Sequence, residues 1–487
     1  MSKRILLVAP DVNYSISDAQ ILKDICIIPC LLQKYYGYDS TIAAYSVNES
    51  VLHSHFPGCK FECVNYTGSF NADIHTYIEK NAKGFDIICL FGPYDCYHEI
   101  VSIYKKNNAC GKAYLKLDMN RFWILRLDSS PRFHALLDLC DLTTVESSNL
   151  HSHLNRVIPF DVELIPNGYY ESPDPKPLCY EKKENTILTV GRLGCYAKQT
   201  AVMIKAFLSA EVPGWKLKLV GGIADEFLPE LKLLQQHPKF SSSIEFTGPI
   251  YDRDVLEEEY LKAKIFCMSS ASEAYAHVFA EAAKNGCYII TTDVEGAYDI
   301  TDNGKYGTIV PIGDHNALTL AFENVCPDEE RIKEVSGGIC SFARHELPWK
   351  YILNKLDMLF RLNGMVKDEC TASPTLPELT QHPASISDMS NSVKESLLSI
   401  SPDTLSGEST EALYGSVQTL CRLCHILNRD FDSLKNKEIK SSAMLLKDCI
   451  INVINAMQNS YYDTAKKYLL RAYPLSMKLH DLVEREI

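Results

Sequence analysis

Ser269-Ser270-Ala271-Ser272-Glu273-Ala274-Tyr275-Ala276-His277-Val278-Phe279-Ala280-Glu281-Ala282-Ala283-Lys284-Asn285-Gly286 is the stretch on which the reading of this 487-residue chain turns. It follows Ile265-Phe266-Cys267-Met268, a short apolar run that reads as a strand, and it leads into a helical pattern. The turn between them then stands at the carboxyl end of a strand, where open parallel α/β sheets bind ligands. Free N–H groups and the positive dipole end of a helix starting near Ala276, His277, Val278 and Phe279 suit a diphosphate. Glu273 in the turn and Glu281 in the second helical turn are expected to face one cleft, and a carboxylate suits sugar or ribose hydroxyls because each oxygen accepts O–H bonds.

Outward from this segment, short β-branched or apolar runs alternate with longer helical patterns over residues 1–350, which implies βαβ units and parallel sheets. One set of strands opens with Ile5 to Ala9 and continues with Asp86 to Phe91, Ala113 to Leu117 and Leu142 to Val145. A second set comprises Thr186 to Val190, Leu217 to Gly221, Ile244 to Phe246, Ile265 to Met268 and Tyr288 to Thr291. Ser172-Pro173-Asp174-Pro175-Lys176-Pro177 separates the sets and reads as a hinge, because proline lacks an N–H and disfavours helix at the residue before it. The expected architecture is therefore two Rossmann-like α/β domains facing a cleft, at 1–170 and 171–350, with a crossing segment at 351–364. From 365 to 408 the chain turns rich in Ser, Thr and Pro and reads as a flexible tether. Residues 409–487 return to helical spacing, as in Leu413, Val417, Leu420, Leu423 and Leu427.

Composition narrows the function classes. The chain carries 49 Lys plus Arg against 62 Asp plus Glu, a formal charge of -13, which repels a phosphate backbone and argues against nucleic acid as a partner. The opening Met1-Ser2-Lys3-Arg4 is followed by an apolar run too short for a signal peptide, and no stretch approaches the ~18 apolar residues that span a bilayer. A cytoplasmic protein is expected, at most peripheral at the inner face of the membrane. Eighteen scattered cysteines fit reduced thiols better than a disulfide framework.

Several further segments, in order along the chain, resemble the retaining glycosyltransferases of family 4, the GT-B-fold enzymes of glycosyltransferase group 1. Glu273 and Glu281 match that family's E-x7-E, and Thr189-Val190-Gly191-Arg192-Leu193 with Lys198 resembles its VGRL…K segment. Ala206-Phe207, Leu219-Val220-Gly221, Phe246-Thr247-Gly248, Glu295-Gly296 and Asn303 to Val310 follow where the family has similar strings, and Ile165-Pro166-Asn167-Gly168 resembles the close of its first domain. The resemblance implies that Arg192 and Lys198 neutralise a donor diphosphate, that Glu281 holds the nucleotide ribose, and that Glu273 holds hydroxyls of the transferred sugar. Gly191, Gly221 and Gly248 then belong to the donor site, beside Ala276, His277, Val278 and Phe279. Fixed cations at the leaving diphosphate agree with elementary physics, since negative charge grows there as the glycosidic bond breaks. Neither metal nor cofactor is then expected, and a UDP-sugar is the favoured donor on family frequency. The acceptor class stays open among saccharide, lipid-linked and protein acceptors.

The first domain departs from that pattern. Pro10 to Ser15 replaces the paired glycines expected after the first strand, and Lys116-Leu117-Asp118 stands where a histidine-containing turn is expected. Asp118 is the candidate for an acceptor hydroxyl, with a structural cap as the alternative. A non-catalytic partner or carbohydrate-binding subunit of the same fold is the rival reading, and an epimerase a more distant one. Cys421-Arg422-Leu423-Cys424-His425 matches a haem-attachment string but sits in a helical pattern without an export signal, so core thiols are the preferred reading. His53, His55, Cys59 and Cys63 offer zinc-type ligands at a spacing that fits no standard finger. The helices of 409–487 are expected to serve an oligomer or a protein partner.

Overall fold

A computed structural model describes residues 3–366 except 10–14, 125–126, 128–129, 159 and 172–175. Most of the expected proline hinge, the segment after the first strand and everything beyond 366, including the expected tether, the expected terminal helices and Cys421 to His425, lie outside the described residues. The first of two compact units, Met1–Ile352, holds two large sheets and a short pair, Ser15–Ile16 with Ser46–Val47, and the second unit begins at Leu353.

The first sheet has seven strands: β1 (Lys3–Val8), β2 (Tyr38–Ala44), β3 (Lys60–Cys63), β4 (Ile87–Phe91), β5 (Lys112–Lys116), β6 (Leu142–Val145) and β7 (Glu163–Leu164). Their order across the sheet is β3-β2-β1-β4-β5-β6-β7, and every pair is parallel. The second sheet has six: β8 (Glu184–Val190), β9 (Lys216–Val220), β10 (Ile244–Gly248), β11 (Ala263–Met268), β12 (Tyr288–Thr292) and β13 (Gly307–Val310). Its order is β10-β9-β8-β11-β12-β13, again parallel throughout. Helices cover both sheets, so central strands are buried on two faces, and Ile5-Leu6-Leu7-Val8 is apolar at every position rather than at alternate ones. Each such side chain contributes roughly 1.5–3 kcal/mol by leaving water.

The strands expected from apolar runs are all present. β2, β3, β7 and β13 were not among them. Asp39, Ser40 and Thr41 interrupt the apolar pattern of β2, yet Ile5 pairs with Ser40 and Leu7 with Ile42 in register, and Ser40 Oγ is satisfied by the Pro29 carbonyl at 2.5 Å. Pairing within a sheet thus overrides weak local pattern. Two-residue β7 and half-exposed β3 offer too little periodicity to be read.

Five helices position the site. In chain order they are α1 (Asp24–Tyr36), α2 (Thr200–Ser209), α3 (Arg253–Lys262), α4 (His277–Lys284) and α5 (Glu329–Glu346), with α6 (Trp349–Leu362) following. Asp252 caps α3 by accepting the N–H of Asp254 and Val255, while α4 starts after Ala276 with no side-chain cap. At the start of α6, Tyr36 in the first lobe donates to the Lys350 carbonyl at 2.6 Å, and Trp349 is buried 6.2 Å from the His277 ring.

Candidate functional site

The carboxyl ends of both sets of strands meet in the first unit, and the contacts between them are polar. Arg121, in a short turn past β5, donates to Glu295 Oε1 at 2.7 Å and to the Asp293 carbonyl at 3.0 Å. Asn120 reaches Ser272 at 2.7 Å, the Ser148 N–H reaches Asp299 at 3.2 Å, and Asn167 donates to the Tyr275 carbonyl at 3.1 Å. The turn quoted at the outset, Ser269 to Ala276, therefore lies at the junction of the lobes.

Three of the expected donor glycines stand in a row there. Gly191 N–H donates to the Val220 carbonyl at 3.0 Å and Gly221 N–H to the Gly248 carbonyl at 2.9 Å, which stacks the ends of β8, β9 and β10. Gly221 has φ +145, and a Cβ there would collide with the Gly191 carbonyl oxygen. Close backbone approach alone thus explains this glycine.

Past Gly191 the chain turns so that Lys198 reaches the motif. Lys198 Nζ donates to Glu273 Oε1, and Ser269 Oγ fixes the same turn through the Lys198 and Gln199 carbonyls at 3.0 and 3.1 Å. Arg192 is exposed, and no described residue pairs with its guanidinium. Phe279 N–H is taken by the Ala276 carbonyl at 3.0 Å, whereas no described acceptor takes the N–H of His277 or Val278. Two backbone donors, one lysine and one unpaired arginine are the means this site has for holding an anion.

Glu281 has separate partners. Arg253 donates to Oε1 at 2.6 Å and Tyr260 to Oε2 at 2.9 Å. Burial alone would push this carboxyl up, but the Arg253 charge and the two hydrogen bonds outweigh it and hold Glu281 below its usual range. It lines a cavity of about 250 Å³ whose walls include Leu22 and His55 from the first lobe and Arg253, Tyr260 and Lys284 from the second. Glu273 does not line that cavity. The two carboxylates expected to converge are thus each held by their own cation, because the helix between them turns Glu281 toward α3. Arg253 and Tyr260 were missed in sequence, since contacts between α3 and α4 leave no local spacing to read.

Asp118 is exposed, just past β5, with φ +39. Its N–H is taken by Glu146 Oε1 at 3.0 Å. Although its surface is open to solvent, the protein packed around the carboxyl desolvates it and, with the neighbouring Asp24, raises its pKa, while Lys116, His277 and Lys23 oppose the shift. Glu146 and Asp24 went unremarked in sequence, and Lys116 was noted only as a neighbour of Asp118; a lysine ending a buried strand was the available signal. His53 Nε2 lies 3.1 Å from the Cys59 carbonyl, and the Cys59 thiol touches that of Cys30. Among the described residues no group of three or more His, Cys, Asp and Glu is placed to hold a metal, and no helix is long and apolar enough to cross a membrane.

Residues 174–336 match the family model described as glycosyl transferases group 1. The resemblance drawn from the segments between Val190 and Val310 is thereby borne out, at the level of glycosyltransferases. Over 177 residues the chain is 25% identical to a phosphatidyl-myo-inositol mannosyltransferase of Mycolicibacterium smegmatis, covering 35% of this chain and 44% of that protein. Over 165 residues it is 27% identical to the capsular polysaccharide biosynthesis glycosyltransferase CapM of Staphylococcus aureus, covering 32% and 41%. The match spans less than half the length of either relative. In three dimensions the chain is similar to a glycosyltransferase from Rickettsia africae, with TM-score 0.57 and 16% identity over 74% of this chain and 98% of the other. HepE of Anabaena, solved in complex with UDP, gives TM-score 0.57 and 14% identity over 74% and 99%. The fold is GT-B, two Rossmann-like domains of parallel sheet facing each other.

Proposed function

We propose that this chain is a retaining, metal-independent glycosyltransferase of hexosyl type that moves a sugar from a nucleotide-sugar donor to a saccharide, lipid-linked or protein acceptor. The observation that carries this is the arrangement around α4: Lys198 and Arg192 beside two unspent backbone N–H groups, with Glu273 and Glu281 on either side. The donor diphosphate replaces Glu273 as the partner of Lys198 and lies against the N–H groups of His277 and Val278. Glu273, released from its lysine, then accepts hydroxyls of the sugar, and Glu281 accepts those of the ribose.

Charge that develops on the leaving diphosphate meets cations already in place, which lowers the barrier without reorganisation. The acceptor hydroxyl attacks the anomeric carbon on the face the nucleotide leaves, a donor phosphate oxygen takes its proton, and Asp118 orients that hydroxyl. The junction of the lobes excludes water that would otherwise hydrolyse the donor. A UDP-sugar is the favoured donor, in keeping with the UDP and UDP-glucose complexes of HepE. Cytoplasmic work in polysaccharide assembly, with residues 409–487 contacting a second copy or a partner protein, completes the reading.

Thermal unfolding with UDP, GDP, ADP and their glucose or mannose conjugates tests the donor site before the acceptor is known. A ligand at 100 times its Kd adds about 2.7 kcal/mol of stability. Stabilisation by one nucleotide family that is lost in Glu281→Ala is the expected result. A folded protein that none of them stabilises favours the non-catalytic partner instead.

A further inference from the structure

The carboxyl ends of β5 and β6 carry a chain of buried charges that the donor contacts do not use. Lys116, the last residue of β5, has no exposed surface, and its ammonium reaches Asp24 at the start of α1 and Glu146 just past β6, each at 2.7 Å. Glu146 is equally buried. Its Oε1 accepts from both Lys116 and the Asp118 N–H, and its Oε2 has no hydrogen-bond partner among the described residues. The free oxygen of Asp24 lies 3.4 Å from Nε2 of His277, the first residue of α4. Contacts are therefore continuous from the N-terminus of the donor helix to the backbone of Asp118.

Burying an ammonium and two carboxylates is costly, and ordinary packing would do without them. What this group does locally is hold one peptide. Asp118 sits in the left-handed region, at a cost of about 1–2 kcal/mol for a residue with a side chain. The bond from its N–H to a carboxylate that cannot move keeps it there. The Cα–Cβ bond of Asp118 then leaves the backbone in one fixed direction.

We propose that Glu146, Lys116 and Asp24 are positioning residues that aim the Asp118 carboxylate at the acceptor hydroxyl, and that His277 ties this aim to the start of the donor helix. The inference rests on the reading of Asp118 and α4 given above. Holding a reacting hydroxyl in line is worth far more than its single hydrogen bond, since misplacement by about 1 Å costs up to ~100-fold in rate. Around Asp118 stand Glu146 and Lys116 of the same sheet, Lys23 and Asp24 at α1, and His277 from the second lobe. A glutamine at 146 keeps an oxygen that accepts the Asp118 N–H, whereas an alanine removes it.

Release of UDP from UDP-glucose and of GDP from GDP-mannose, with water as acceptor, reads this without knowing the natural acceptor. Rates are followed from pH 5 to 9 for wild type, D118N, E146Q and E146A. D118N is expected to lower kcat at least ~10-fold with donor KM within about twofold, since its loss is confined to the attacking oxygen. E146A is expected to behave likewise. E146Q, which still accepts the Asp118 N–H and is neutral as Glu146 is while Asp118 titrates, restores most of kcat and keeps the wild-type acid limb. If E146A fails to fold, E146D, whose shorter side chain draws the carboxylate back from the Asp118 N–H, is read in its place. Wild-type kcat in E146A or E146D overturns the proposal while D118N still reports on Asp118. An unimpaired D118N overturns it too, leaving the donor site standing. No release by wild type, with no stabilisation by any nucleotide, strikes the proposed function itself.

Discussion

A carboxyl group with no exposed surface, wedged between a lysine and two other carboxylates, takes its protonation state from that company. For Glu146, burial together with Asp118 and Asp24 pushes the pKa from 4.5 up to about 7, against the pull of Lys116. The folded state therefore binds this proton more tightly than the unfolded state does. The resulting stability is present below pH ~4.5 and is lost as pH rises through ~7. Glu146→Gln mimics the protonated form at every pH. Its melting temperature relative to wild type should climb between pH 4.5 and 7 and level off above. A difference that stays flat across this window, followed by calorimetry, would show that Glu146 titrates normally. Legibility in the sequence also divides at this scale. Lys198, Glu273 and Glu281 stood in strings with fixed spacing, so they could be named. Their partners could not all be, because Arg253 meets Glu281 between two helices and Asp24 meets Lys116 across a whole sheet. Such pairs are made by the fold and have no local signature. The expectation that Glu273 and Glu281 share one cleft failed to anticipate that each would already hold a cation.

Among elements, the ledge formed by the ends of β8, β9 and β10 admits a sharp comparison between neighbouring glycines. Gly221 combines φ +145 with a forbidden approach to the Gly191 carbonyl, whereas Gly222 has open space around it. Gly221→Ala is expected to cost about 2–4 kcal/mol, through backbone strain and collision together, and to weaken nucleotide binding by displacing Gly191. Gly222→Ala is expected to stay within about 0.5 kcal/mol of wild type. Denaturant unfolding of the two variants checks this, and equal costs would mean that the ledge is slack. The sequence pattern placed these glycines at strand ends correctly, because an apolar run that stops at glycine is a local signal. It could not tell a glycine needed by a ligand from one needed by the next strand. β2 escaped notice for a related reason, since its polar residues are satisfied only once β1 and α1 are beside it.

For the first compact unit as a whole, the lobes meet through several polar bridges, of which one is charged at both ends and reaches two acidic residues. Arg121 spans to Glu295, which is only 4% exposed along its side chain, and to Asp293. Arg121 is itself 37% exposed, so water screens the pair and its contribution is about 1 kcal/mol. Arg121→Met should raise amide exchange across Asp293 to Thr301 about fivefold while leaving β11 and β12 unchanged. Unaltered exchange in that segment would make the bridge dispensable to lobe contact. The two-sheet plan was legible because every βαβ unit repeats the same alternation. The lobe contacts were not, for Arg121 and Glu295 lie far apart in sequence and neither stands in a string that announces the other.

In both sheets the strand that leaves the ribosome first ends up in the middle. β1 waits for β2 on one side and for β4 on the other, and β8 waits for β9 and then β11. Synthesis from Val8 to Phe91 takes on the order of ten seconds at ~5–20 residues per second. Through that interval Ile5-Leu6-Leu7-Val8, with no surface exposed in the finished protein, has an unpaired edge and two bare faces. A nascent chain of this design is a natural client for holdase chaperones. Fusing residues 1–90 to a reporter would produce a chain caught at its stickiest moment.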